Sequence, residues 1–575
     1  MRAPDGTCWI GPAHPFDLAE AYLNYRADLS LAAVPQDATI HISADSRYRL
    51  WINGEFLARG PERSWPSSMA VDSHPIARHL QPGVNRIAVQ VYSPGYSHFS
   101  YLHRAATGLI AWISGDDRTL LATTPDWHCN RDASWHPVTQ RVSIYGTGVE
   151  LRDMAADAPW QTAAPAGAQA RIVQPPEGHI WASLRPRATA LPVEDTQPLD
   201  TPWQTRLGPT PAPCDDPHED LRNALATFPE TPLPRALAAG QTAIWIFDLG
   251  HSQSCIGTVR LTARQGSRLT VSYAEKLRDG ALLLPDPTTY CRMRPTDRFM
   301  LREGPQQAEC FTPRGARYLV FRLDATGPTD LPDFAVRLPR SPVTERPLPD
   351  LGDPGLNAIA QACRRTTLAC LQDGFVDSIW RESSLWLGDA VAQSFALRAL
   401  TDDPRPHLFA LDMAAEGAAT DGVLPSVLPG DVPAYVVTDY NFSWVELLWA
   451  TQGHPGIPDA TPHLRRHWAT LCRLLSRFEA DRGRDGLIRS QPGRRLFLDW
   501  SAQGRAEPNL TYNLRHLHAL DLAVRMAATL REPSPWAATA ATLRQTLRQT
   551  HRTADGWLES PAARPPANWP PRFCR

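Results

Sequence analysis

The sequence predicts a multidomain chain in which two antiparallel β-sandwiches precede a set of stacked helical hairpins. Three observations carry this. A two-residue hydrophobic period runs from the N-terminus to about residue 160, it returns between about 240 and 345, and near residue 353 it gives way to a helical period. A chain of 575 residues has room for three or four domains with cores of their own.

In the first region Ile87, Val89 and Val91 alternate with Ala88, Gln90 and Tyr92, and Tyr48, Leu50 and Ile52 alternate with Arg49 and Trp51, the pattern of half-buried strands. Asn53-Gly54 follows the second run and predicts a hairpin, because a type I′ turn needs two residues that tolerate positive φ. From about 160 to 220 the prolines, Pro165, Pro175, Pro176, Pro186, Pro192, Pro198 and Pro202 among them, leave no room for a helix or a central strand, so a linker draped over its neighbours is expected. Val259, Leu261 and Ala263, then Leu269, Val271 and Tyr273, then Tyr318 to Leu323, predict the second sandwich.

Asp353-Pro354 reads as an N-cap followed by proline at the first helical position, with Leu356, Ile359, Cys363, Thr367 and Cys370 at helical spacing after it. Thr461-Pro462 repeats the device, and a third stripe of Leu514, Leu517, Leu520, Val524 and Ala527 follows Pro508. About seven helices are expected from 353 onward. The division predicted is 1–160, first sandwich; 161–220, linker; 221–347, second sandwich; 348–575, helical domain.

Charge and composition narrow the function. With 58 Lys+Arg against 60 Asp+Glu and no long run of one sign, nothing marks a nucleic-acid or anionic-membrane surface. No apolar run approaches the roughly 20 residues of a membrane span and no secretion signal opens the chain, so a cytoplasmic protein is expected. The 10 cysteines contain no C-x-x-C pair and read as buried thiols, and no metal is assigned. Lys276 is the only lysine, so nearly all positive charge is guanidinium.

The segment Asp377-Ser-Ile-Trp-Arg-Glu-Ser-Ser-Leu-Trp-Leu-Gly-Asp389 is the richest in chemistry. If it is helical, Glu382, Trp386 and Asp389 share a face, with Asp377 just upstream. Three carboxylates around two tryptophans suit glycosidic cleavage, in which neighbouring acids and an apolar ring keep one carboxyl protonated. A helix N-terminus carrying acids for its dipole, with Arg381 paired to one of them, explains the same residues. Asp439-Tyr-Asn-Phe-Ser-Trp444 and Phe497-Leu-Asp499-Trp500 repeat the pairing of an acid with aromatics, as a saccharide pocket would use it or as an N-cap beside a core ring would. Gly250-His-Ser-Gln-Ser254 lacks the last glycine of a nucleophile elbow, and His463 and His467 lack the glutamate of a zinc-protease helix.

These residues resemble the bacterial α-L-rhamnosidases, family 78 of the glycoside hydrolases, over nearly the whole chain. Ala44-Asp-Ser-Arg-Tyr-Arg-Leu-Trp-Ile-Asn-Gly-Glu55 with Arg59-Gly-Pro61 is similar to that family's N-terminal sandwich. Phe247 to Gly250, Gly257 to Leu261, Tyr273 to Leu277 and Phe311-Thr-Pro-Arg-Gly-Ala-Arg-Tyr318 are similar to its second sandwich. Asp377 to Asp389 resembles the motif D-x-x-x-R-E-x-x-x-W-x-G-D that opens its catalytic (α/α)6 six-hairpin barrel, with Ile379 in place of a frequent proline.

The resemblance implies inverting hydrolysis of terminal α-L-rhamnosyl groups of an oligosaccharide or glycoside without a cofactor. Glu382 would be the general acid, and Asp377, Arg381, Trp386, Asp389, Asp439, Trp444, Asp499 and Trp500 would bind the sugar. It also implies a catalytic base late in the barrel. Only 193 residues (575 minus 382) follow Glu382, and four prolines in the last eleven residues bar a helix, so an incomplete barrel lacking its base is expected, by truncation or frameshift. Little activity, uncovered apolar faces and association with another chain would follow. Two other readings stay open: a carbohydrate-binding remnant, and a six-hairpin glycosidase for another sugar.

Overall fold

In the computed structural model, described for residues 1–12, 19–137, 139–157, 159–212, 214–430 and 436–561, the chain forms two compact units. The first comprises Met1–Pro342 and Leu351–Ser384; the second comprises Val343–Asp350 and the residues from Leu385 on.

The first unit opens with a sandwich of a seven-stranded and a five-stranded sheet. Ile10, Leu23, Tyr25, Ile40, Leu50, Val89 and Leu109 fill the space between the sheets. The Asn53-Gly54 hairpin forms as predicted: Asn53 and Gly54 have φ of 52° and 83°, and they join strands Arg47–Ile52 and Glu55–Gly60. Strand Gly83–Ser93 differs from the half-buried expectation, because both its faces are covered. Gln90 donates to Asn24 and Asp132 at 2.9 and 3.0 Å, while Tyr92 joins Tyr22, Trp135 and Phe311 in a second aromatic cluster. Phe311 comes from the other sandwich, so the face that alternation assigns to solvent is an interface within this unit.

The second sandwich is built on one long strand, Gln241–Ala263. As far as Cys255 it pairs with Arg314–Ala325; beyond that it pairs with Gly304–Glu309 and Asp333–Arg340, and a bulge between Asp248 and Gln253 bends it. Gly250 to Ser254 lies inside this strand. Trp245, Phe247, Val259, Phe321 and Phe334 fill the core, with the Phe321 and Phe334 rings 4.7 Å apart.

The proline-rich stretch 161–220 is not a bare linker. Arg171–Gln174 and Leu184–Pro186 add edge strands to the first sandwich, and Val193–Pro198 and Gln204–Pro209 pair with strands of the second. Proline is compatible with such positions because an edge strand leaves one row of its backbone groups unpaired. Helix α1, Pro217–Thr227, follows, with Asp216 accepting from the His218 and Glu219 N–H groups.

Helix α2, Pro354–Ala369, starts where the sequence places it: Asp353 accepts from the Leu356 N–H at 2.8 Å with Pro354 in the first turn. The second unit carries α3 (Leu387–Leu400), α4 (Arg405–Glu416), α5 (Tyr440–Trp449), α6 (Thr461–Ala480), α7 (Leu510–Leu530) and α8 (Trp536–His551). Counting from α2, seven helices follow residue 353 among the described residues. Helix α5 packs on both α3 and α7, while α4, α6 and α8 pack against their neighbours in sequence, which gives two rows of paired helices. Thr461 is the first helical residue of α6 rather than its cap, and Asp459 accepts its N–H at 2.9 Å.

No helix among the described residues is long and apolar enough to cross a membrane. None of the nine described cysteines is in a disulfide; Cys363 is exposed and Cys214 and Cys472 half-buried, unlike the uniformly buried thiols expected. His467 is buried against Asp412, 3.0 Å away.

The segment between α2 and Ser384 is tied to the first sandwich by Arg63. Its backbone N–H and guanidinium Nε donate to Asp373 at 2.7 and 2.9 Å. Burial pushes the Asp373 carboxyl up, but Arg63 outweighs it and holds the group down at about 2. A carboxyl held below its unfolded value stabilises the fold above about pH 4, and this contribution is lost as pH falls toward 2. We therefore expect Arg63→Met to cost about 2 kcal/mol at neutral pH and to flatten the stability profile between pH 4 and 2, read by urea unfolding across that range.

Candidate active site

Two groups of the candidate residues are assembled, one in each unit. In the first unit Asp377 to Ser384 forms a loop closed on itself. Asp377 accepts from the Ser384 N–H at 3.0 Å and the Ser378 hydroxyl at 2.9 Å, and its own N–H donates to the Ser384 carbonyl at 2.8 Å. Burial pushes the Asp377 carboxyl above its ordinary range against these donors. Asp377 is thus the clasp of the loop that presents Glu382.

The loop is held from outside by residues of the two sandwiches. The Ser100 hydroxyl donates to the Ser383 carbonyl at 2.8 Å, Ser143 to the Arg381 carbonyl at 3.0 Å, and the Trp380 indole to the Tyr273 carbonyl at 3.1 Å. Gly315 explains part of the Phe311-to-Tyr318 motif: a Cβ there would come within 2.6 Å of the Ile379 backbone, so only glycine lets the strand pass the loop.

Glu382 is 9% exposed and borders a cavity of about 240 Å³ lined by residues of both sandwiches and by 372–383. Its Oε1 lies 2.6 Å from Arg381 Nη2. Sequence reasoning missed the rest of the wall, including Arg47, His98, Tyr101 and Arg314. Arg47 stands within the Ala44-to-Glu55 motif and Arg314 within the Phe311-to-Tyr318 motif, which was the only signal.

Burial, reinforced by Arg47, Arg141 and Arg63, lowers the His98 imidazole to about 3, so it is neutral at physiological pH. Burial raises the Asp45 carboxyl to about 7 despite hydrogen bonds from Tyr101 and Trp181. Near this wall Glu150, Asp297 and Cys310 lie close enough to hold a metal ion. Arg314 supplies the positive charge there instead, with Nη2 2.7 Å from Asp297, while the Phe311 and Thr312 N–H groups occupy Glu150 at 2.6 and 2.7 Å.

The condition under which Glu382, Trp386 and Asp389 would share a helical face is not met. Glu382 lies in a loop, Leu385–Trp386 is a short strand paired with Val427–Leu428, and Asp389 sits in the first turn of α3. A strand separates loop from helix, so helical spacing has no meaning across it.

In the second unit the candidates gather around Tyr440. Trp386, Tyr440, Phe497 and Trp500 form a run of edge-to-face rings with centroids 6.1, 6.0 and 5.1 Å apart. Burial raises the Tyr440 hydroxyl, and Asp389, Asp499 and Asp439 add to the shift. Gly388 makes room for the ring, since a Cβ there would lie 2.4 Å from it. Trp500 is 75% exposed, and Asp499, at φ 59°, accepts the Trp500 N–H at 2.7 Å.

Two candidates are corrected. Trp444 is fully buried, its indole donating to the Leu411 carbonyl at 3.2 Å, so neither ring face can meet a sugar. Asp439 is also fully buried; it accepts the Phe497 N–H at 3.0 Å and faces Arg515 at 3.2 Å, which makes it an anchor for the Phe497 loop rather than a ligand for substrate. Arg515, which also donates to Ser443 at 2.6 Å, had no signal in the sequence.

Residues 352–564 match the family model of the bacterial alpha-L-rhamnosidase 6 hairpin glycosidase domain. No curated protein matches the chain. Among solved structures, the family 78 rhamnosidase of Bacillus sp. GL1 is 20% identical with a TM-score of 0.87, over 97% of this chain and 78% of its own. The α-L-rhamnosidase of Dictyoglumus thermophilum is 15% identical with a TM-score of 0.72, over 96% and 60%. That of Streptomyces avermitilis, complexed with L-rhamnose, is 18% identical with a TM-score of 0.68, over 94% and 49%. The chain thus spans between half and four fifths of these proteins, and at such identities the likeness speaks for the fold. Residues 352–564 thus match the helical domain model of the bacterial α-L-rhamnosidases, and the chain as a whole shares the fold of the solved proteins of that name.

Proposed function

We propose that the protein hydrolyses terminal α-L-rhamnosyl groups with inversion, and that Glu382 is the general acid. The observation that carries this is the family domain over 352–564, whose motif glutamate is seated at a cavity wall rather than in bulk solvent. Glu382 donates its proton to the glycosidic oxygen as that bond breaks; water attacks the anomeric carbon and gives its proton to a second carboxylate, roughly 6.5–9.5 Å from the acid in enzymes of this stereochemistry. No described carboxylate is assigned that second role.

Asp377 positions the acid by closing its loop, and Arg381 holds its carboxylate until substrate arrives. Trp386, Asp389, Asp499 and Trp500, around Tyr440, form the saccharide-binding set. In domain terms we propose the division 1–160, 161–220, 221–347 and 348–575, with the second segment stitching the two sandwiches through its edge strands.

Glu382→Gln should lower turnover of an alkyl α-L-rhamnoside by about 10²- to 10⁴-fold while sparing a dinitrophenyl α-L-rhamnoside, whose leaving group needs no proton. Equal losses on both substrates, or no preference for rhamnosides over other aryl glycosides, would refute the reading. Trp500→Ala should raise KM with stability unchanged to within about 0.5 kcal/mol. Trp444→Ala should instead cost about 3–5 kcal/mol in urea unfolding, as expected of a core ring.

A further inference from the structure

The cavity beside Glu382 carries an imbalance of charge that the reaction does not use. Its wall holds several arginines, and nearly all have a carboxylate of their own. Arg63 is 2.7 Å from Asp373, Arg187 2.9 Å from Asp72, Arg314 2.7 Å from Asp297, Arg59 2.6 Å from Glu309 and Arg381 2.6 Å from Glu382. Arg47, at the start of strand Arg47–Ile52, makes no side-chain hydrogen bond or ion pair with any described residue, although it lines the same cavity and is half-buried. Burial pulls its guanidinium down from the ordinary arginine value, and the groups that act on it are Asp373, Arg63, Tyr92 and Arg314. Asp373 is already engaged by the backbone and guanidinium of Arg63. His98, on the same wall, is neutral. Arg47 is therefore the one arginine of this wall without a carboxylate partner among the described residues, in a partly desolvated pocket where an unpaired ion is costly and a complementary anion is bound strongly; Asp45 on the same wall, raised to about 7, offsets only part of its charge near neutral pH.

We propose that this cavity is a subsite for a singly charged carboxylate carried on a sugar, with Arg47 as its anchor. One unmatched guanidinium suits one negative charge, and its planar fork suits the two oxygens of a carboxylate. The Ser100, Tyr101 and Ser143 hydroxyls on the same wall donate to protein acceptors but keep lone pairs for sugar hydroxyls. The placement of this cavity on the leaving-group side rests on the reading of Glu382 as the acid: the rhamnosyl group is then released from a uronic acid. Binding of the anion itself does not depend on that reading.

The test uses the full chain and titration calorimetry with D-glucuronate, D-glucose and inorganic phosphate. Glucuronate should bind at least tenfold more tightly than glucose, and more weakly as salt rises. Arg47→Met should remove at least tenfold of the glucuronate affinity, leave glucose unchanged and not lower Tm, since it deletes an unpaired charge; Arg47→Lys should retain part of the binding. Equal affinity for glucuronate and glucose, or undiminished glucuronate binding by Arg47→Met, overturns the proposal. Phosphate binding as tightly as glucuronate overturns the sugar-acid assignment. A chain that binds glucuronate through Arg47 yet never cleaves rhamnosides keeps this subsite and loses the activity proposed above; the converse result does the opposite.

Discussion

The buried arginine–carboxylate pair is the interaction on which the first unit depends. Arg322 is fully buried, with Nη1 2.9 Å from Asp220 and Nε 2.8 Å from Asp324. Glu309 is gripped by Arg59 and Arg337 at 2.6 and 2.8 Å; burial alone would raise its carboxyl, but these cations together with Arg49 hold it at about 2. Breaking one such pair strands a charge in low dielectric at a cost of about 3–5 kcal/mol. In a chain with a single lysine this role falls to guanidinium, whose fixed fork bridges two acceptors at once. Arg59 does so between Glu309 and Glu194, and in this way joins the first sandwich to the second.

The same pairs define the candidate site. Because the sandwiches are locked by charges that cannot shift without loss, the wall facing Glu382 is preorganised, and the loop that carries Glu382 is pinned at Ser383, Arg381 and Trp380 by donors and acceptors from both sandwiches. The Asp377-to-Asp389 motif is short in sequence, yet the geometry of its loop is imposed by residues one to nearly three hundred positions away.

This separation explains what could and could not be read from the sequence. The Asn53-Gly54 turn and the Asp353 cap are local, each fixed by two or three adjacent residues, and both are found as expected. The family motif located Glu382, but its helical spacing misled, since a two-residue strand intervenes between loop and helix. Strand edges in the proline-rich stretch were hidden because pairing partners lie elsewhere in the chain. Trp444 and Trp500 sit in similar acid-and-aromatic clusters, and only tertiary packing makes one a core residue and the other a surface residue. Arg47 resembles any other arginine until all the surrounding partners can be counted.

The economy in lysine has a practical corollary. Lys276 lies on an exposed hairpin formed by strands Lys276–Arg278 and Ala281–Leu283. Apart from the α-amino group, this hairpin offers reagents such as succinimidyl esters their only primary amine. A dye, biotin or resin attached there lands at a defined address on the second sandwich and leaves the guanidinium framework chemically untouched.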